Sequence, residues 1–143
     1  MALRMQNPEL TLEKLNNLRR NTMVEHLGIE LTEVGDKFLC GKMPVDHRTH
    51  QPMGLLHGGA SVALAETLGS IAAHTQVDQS KYACVGLEIN ANHIKGVRSG
   101  FVYGKATALH IGRTTQVWEI RITNEAGDLV CISRITMAVI EKK

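Results

Sequence analysis

Glu66 is the only formally charged residue between His57 and His74. The surrounding stretch, Gly54 to Ala73 (GLLHGGASVALAETLGSIAA), is otherwise built from Ala, Val, Leu, Ile, Gly, Ser and Thr, apart from His57 near its start. An apolar run of this length predicts a buried helix, and a lone acid in such a helix needs a partner or a task. On a helical wheel, Gly59, Val62, Ala63, Gly69, Ser70 and Ala73 share the face of Glu66, while Leu64, Leu68 and Ile71 fall opposite. Two readings follow. Glu66 lies on the wet side of the helix, or its stripe of small residues admits a ligand, a neighbouring backbone or a second subunit. In the second case the carboxylate is placed to act as base or nucleophile.

His57-Gly58-Gly59 opens the helix. Unpaired backbone N–H groups and the positive end of the helix dipole gather at such a start. Glycines there let a ligand approach the main chain, and a carbonyl oxygen that becomes negative during acyl transfer could be held. Glycine also serves tight turns for steric reasons alone. Gly58 and Glu66 are about two turns apart, roughly 10 Å along the axis. One substrate meets both only by lying along the helix, or if another subunit supplies one of the groups.

Other chemistries find less support. Seven histidines are present, but HExxH and HxH are absent, so no metal site is expected. There is no GxSxG, and Ser61 and Ser70 show no triad context. Cys40, Cys84 and Cys131 lack CxxC spacing and read as free thiols of a reducing, cytoplasmic compartment. Met43, Met53 and Met137 read as core or pocket-wall fillers, and Trp118 as core.

The elements that must position Glu66 can be read in order. Thr11 to Arg20 (TLEKLNNLRR) predicts an amphipathic helix, with Thr11 as N-cap and the arginines in its last turn. Gly28 to Val34 and Lys37 to Met43 predict a hairpin broken at Gly35-Asp36. Pro44 to Gly54 is a loop feeding the apolar helix. Four extended segments follow, Tyr82–Asn92, Phe101–His110, Thr114–Thr123 and Asp128–Ile140, read as a meander. In Thr114–Thr123, Trp118, Ile120 and Ile122 share one face. The expected class is α+β: one long central helix against an antiparallel sheet, in a single domain over residues 1–143.

Bulk properties fit that picture. A chain of 143 residues with 43% hydrophobic content buries one sizeable core. A net charge of +2 and 3% aromatics argue against a nucleic-acid partner. Glu66 and His74 interrupt the best membrane-span candidate, so no membrane partner is expected, and Arg4 is followed by no apolar run of a secretory signal.

The segment His57 to Ser70, preceded by Gln51-Pro52 and followed by Gly86-Leu87-Glu88-Ile89-Asn90-Ala91-Asn92-His93, resembles the hotdog-fold acyl-CoA thioesterases. The similarity lies with the PaaI-like branch, which includes the bacterial 1,4-dihydroxy-2-naphthoyl-CoA thioesterase of menaquinone biosynthesis and the enterobactin proofreading thioesterase. It runs from about Thr11 to Ile140. The resemblance implies that Glu66 is the catalytic carboxylate, as nucleophile or as base for water. It implies that the Gly58 N–H polarises the thioester carbonyl, that His57 and Gln51 position thioester or water, and that Ser70 contacts the acyl group or water. It further implies coenzyme A contacts from Gly86, from Asn92-His93-Ile94-Lys95-Gly96 and from His110-Ile111-Gly112-Arg113-Thr114-Thr115. Related members often carry Arg where this chain has Lys95, which keeps the charge but loses the bidentate fork. The implied partner is an acyl-CoA substrate, with no cofactor, and the implied assembly is a homodimer that forms each site across its interface, within a homotetramer. A hotdog dehydratase and a non-catalytic acyl-CoA-binding module are the competing readings.

Overall fold

The computed structural model describes residues 10–143; Arg4 and its neighbours lie outside them. Helix α1 (Leu12–Asn17) begins at Thr11, whose side-chain oxygen accepts the Lys14 N–H at 3.2 Å. The helix stops short of the two arginines. The Arg19 guanidinium instead donates to the Ile29 carbonyl at 2.6 Å, and a second short helix, α2 (Met23–His26), follows. Gly28 closes α2 with φ +74°, where a side chain would also strike the Pro44 ring.

Strands β1 (Glu30–Gly35) and β2 (Phe38–Pro44) form the expected hairpin. Helix α3 (Gly58–Thr75) is the long apolar element. It is followed by β3 (Tyr82–His93), β4 (Phe101–Ile111), β5 (Thr115–Thr123) and β6 (Leu129–Glu141). All strands join one antiparallel sheet in the order β1-β2-β4-β5-β6-β3. Only β4, β5 and β6 form a meander. The expected fourth member, β3, crosses to the far edge and pairs with β6.

The sheet wraps α3. Leu64, Leu68, Ala65 and Ala72 are buried, facing Trp118, Ile120, Ile122 and Ile135, also buried. Contact is close because Cβ atoms are missing at the interface: a Cβ at Gly104 would lie 2.6 Å from Leu68 Cδ1, and one at Gly69 would lie 2.6 Å from Ile135 Cγ2. Buried polar groups are paired within the core. Trp118 Nε1 donates to Gln116 Oε1 at 2.8 Å, and Gln116 Nε2 donates to the Ala73 carbonyl at 3.4 Å. A long helix enclosed by an antiparallel sheet is the hotdog architecture.

Two expectations about side chains change here. Met53 is 74% exposed and fills no core. Gly69 and Ala73, placed with Glu66 on the wheel, are buried against the sheet, whereas Ile71 turns towards the Glu66 side. Trp118, Met43 and Met137 lie in the core, and burial raises the pKa of the Cys40 and Cys131 thiols. Among the described residues, no helix is long and apolar enough to cross a membrane.

Candidate active site

Helix α3 and strand β3 run side by side in opposite directions. Three close approaches mark this: Gly58 beside His93, Glu66 beside Gly86, and His74 beside Cys84. A Cβ at residue 58 would stand 3.0 Å from His93 Nε2, so the absence of a side chain lets the imidazole close on the helix start. A Cβ at residue 86 would stand 3.2 Å from Glu66 Oε2.

Glu66 is exposed in the single chain. Its carboxylate sits at a groove of about 540 Å³, lined on one side by Gly59, Val62, Ala63, Thr67, Ser70 and Ile71 of α3. The other wall is Met23, Val24, Leu27 and Ile29. Sequence reasoning missed this wall, because α2 has only four residues and too few for a periodic signal. What holds it is polar. Arg19 donates to Ile29, and the Asn16 amide bridges Leu31, donating to its carbonyl and accepting its N–H, both at 2.9 Å. Ser70 Oγ lies in the same groove, 3.9 Å from the Met137 sulfur.

The start of α3 separates this groove from a second one of about 340 Å³, lined by Gln51, Leu55, Gly58, His93, Ile94, Lys95 and Gly96 among others. Gly58 and Gly59 are neighbours in the chain yet face different grooves. His57 is the N-cap: its Nδ1 accepts the Gly59 N–H at 2.7 Å, so the neutral ring carries its proton on Nε2. Among the described residues, the Gly58 N–H meets no acceptor, as expected for the first residue of a helix. Gln51 turns its Oε1 back onto the Met53 N–H, which leaves the amide NH₂ as its available donor. Lys95 forms a 2.7 Å ion pair with Asp128, and this pairing holds the Asp128 carboxyl below its usual range.

The structure therefore gathers Gln51, Gly58 and His93 to Gly96 in one place, and Glu66, Ser70 and Gly86 in another. Asn92 continues the first set along β3. The segment His110, Ile111, Gly112, Arg113, Thr114 and Thr115 joins neither groove. It forms the β4–β5 turn, where Thr115 pairs with Ala138, whereas His93 pairs with Cys131. Seven residues of β6 separate these positions, about 23 Å of extended chain. Within one subunit the two coenzyme A candidate segments therefore lie at separate places. Among the described residues, no group of three or more His, Cys, Asp or Glu side chains is arranged to hold a metal.

Comparison with known proteins agrees with this geometry. Residues 53–131 match the sequence profile of the Thioesterase superfamily. The proofreading thioesterase EntH of Cronobacter turicensis is 53% identical over 130 residues, covering 91% of this chain and 94% of the relative. A crystal structure of a Pseudomonas aeruginosa thioesterase bearing a Gln→Ala substitution superposes with a TM-score of 0.93, at 52% identity over 96% of this chain and 99% of that one. A Staphylococcus aureus protein, 37% identical, has been solved with a Glu→Ala substitution (TM-score 0.82, 84% of this chain and 99% of that one). It has also been solved, as a thioesterase enzyme, with a Gln→Ala substitution (TM-score 0.80, 82% and 97%). The helix-in-sheet fold, the profile match and these relatives together establish that the chain belongs to the thioesterase superfamily and is a hotdog-fold thioesterase.

Proposed function

We propose that this thioesterase hydrolyses acyl-CoA with an aromatic acyl group, such as 1,4-dihydroxy-2-naphthoyl-CoA, using Glu66 as its catalytic carboxylate. The observation that carries the reading is the position of Glu66, among the described residues the only acid lining a mostly apolar groove. The acyl group lies between the small residues of α3 and the wall of Met23, Val24 and Leu27, with Ser70 within reach of a ring substituent or water. Glu66 either attacks the thioester carbon, giving an anhydride that water then opens, or takes a proton from an attacking water. In both routes the carbonyl oxygen gathers negative charge, the carbon–sulfur bond breaks, and the thiol leaves as the free acid forms. A single donor aimed at that oxygen is worth about 10²–10³-fold in rate.

Glu66 and Gly58 face different grooves of one chain, which favours a homodimer in which the Gly58 N–H, His57 and Gln51 of one subunit serve the Glu66 of the other. Strand β3 supports this assembly. It is an edge strand, with Val85 43% and Leu87 63% exposed beside Glu66, and such an edge offers unpaired backbone groups to a second copy. Pairing two copies also places the Gly86 and His110–Thr115 region of one subunit with the Asn92–Gly96 region of the other around one coenzyme A. Two such dimers form the tetramer. The Staphylococcus aureus protein adds support: its two substituted positions, a Gln and a Glu, are fifteen residues apart, as are Gln51 and Glu66.

The test is thiol release from naphthoyl-, benzoyl- and straight-chain acyl-CoAs by wild type and Glu66→Gln. The substitution should cost at least ~10²-fold in kcat. Wild-type rates in the variant would remove Glu66 from the chemistry, and faster turnover of straight chains would remove the aromatic substrate. A carrier-protein thioester, the second acyl carrier that the family resemblance implies, belongs in the same screen.

A further inference from the structure

We propose that Asp128 restrains Lys95 and so weakens the hold of this thioesterase on highly charged carriers such as coenzyme A, compared with phosphate-free thioesters. The inference rests on the reading above, that the groove of Gln51, Gly58 and Lys95 receives the carrier of the thioester. Among the described residues, Lys95 is the only formally charged one lining that groove. Its Nζ lies 2.7 Å from Asp128 Oδ2, with both side chains about half exposed (53% and 48%).

The acceptor is built in place rather than met by chance. The Asp128 N–H donates to Asn124 Oδ1 at 2.9 Å, and the Asn124 N–H donates to the Asp128 carbonyl at 3.0 Å. Asn124 Nδ2 also reaches Asp128 Oδ2 at 3.4 Å. On the other side, the Ile94 and Lys95 N–H groups both donate to the Val130 carbonyl, at 2.8 and 3.3 Å. Backbone bonds therefore fix both ends of the ion pair. A phosphate that recruits Lys95 must share it with Asp128 or displace it, and meets a neutral pair where a lone lysine would present a full charge.

The substitution Asp128→Asn keeps the shape and the backbone bonds to Asn124, and removes only the charge. Benzoyl-CoA and benzoyl-N-acetylcysteamine present the same acyl group with and without phosphates. The expected result is a KM for benzoyl-CoA lowered about three-fold, the scale of an exposed ion pair. The KM for the truncated thioester should change by clearly less, and the difference should shrink as salt is raised towards about 1 M. A KM for benzoyl-CoA that stays constant or rises, or that moves in step with the truncated thioester, overturns the inference. Lys95→Ala separates the two levels of argument. If it raises the KM for benzoyl-CoA selectively while Asp128→Asn does nothing, only the restraint is wrong. If neither substitution distinguishes the two thioesters, the groove does not receive the coenzyme A phosphates and the underlying reading fails with it.

Discussion

Glu66 Oε2 and the α-carbon of Gly86 are in such close contact that a methyl group on Gly86 would stand 3.2 Å from the carboxylate. Strand β3 thus sets where the acid of α3 points. The contact is tight without being impossible, so Gly86→Ala should push the carboxylate by a few tenths of an ångström and leave the fold intact. Because small misplacements of a reacting group are costly, kcat/KM should fall between ~10-fold and ~10²-fold. Thiol-release kinetics beside an unchanged circular dichroism spectrum would check this, and wild-type kinetics would contradict it.

His57 carries two duties that substitution can separate. Its Nδ1 caps α3 by accepting the Gly59 N–H. His57→Ala removes the cap and should cost about 1 kcal/mol of stability. His57→Asn supplies another good N-cap oxygen, so its unfolding free energy should return to within a few tenths of a kcal/mol of wild type. If the ring also positions the thioester, the Asn variant should remain slow despite its recovered stability. Recovery of both would make His57 a cap and nothing more.

Asp46 gives a pH-dependent signature away from the grooves. Its carboxylate accepts hydrogen bonds from the Arg48 side chain and backbone, which lower its pKa from 3.8 to about 2. The folded-state value is depressed, so the stabilisation is present above the unfolded value and is lost as pH falls through the folded one. The Tm gap between wild type and Asp46→Asn should be constant above about pH 5. It should close between there and about pH 2. The gap itself should be small, because both side chains are more than a third exposed and solvent screens the pair.

Much of the fold was legible because its signals are long. An apolar run that no surface helix could carry predicted α3, and β-branched runs placed all four long strands within one or two residues. The faces of α3 were harder to read. A helix that is apolar nearly all round gives no phase, so the wheel put Gly69 with Glu66 although Ile135 covers it. The far placement of β3 was hidden for a similar reason, since strand order depends on which edges meet and not on the sequence of any one strand. In the candidate site, the short motifs around Gly58 and Lys95 were legible each by itself, and only the fold brings them to one groove. Met23, Val24 and Leu27 were not, because α2 is held by Arg19 and Asn16 contacts that no local pattern announces.

The start of α3 divides the two grooves, and with the proposed dimer this makes inheritance of function a matter of pairing. Each chain contributes half of two sites and completes neither alone. A chain with Glu66→Gln and a chain with Gln51→Ala are both expected to be inactive as homodimers. In the mixed dimer, one site collects both lesions and the other collects none. Two dead proteins, coexpressed, would restore a live one, with the remaining activity counting the mixed pairs.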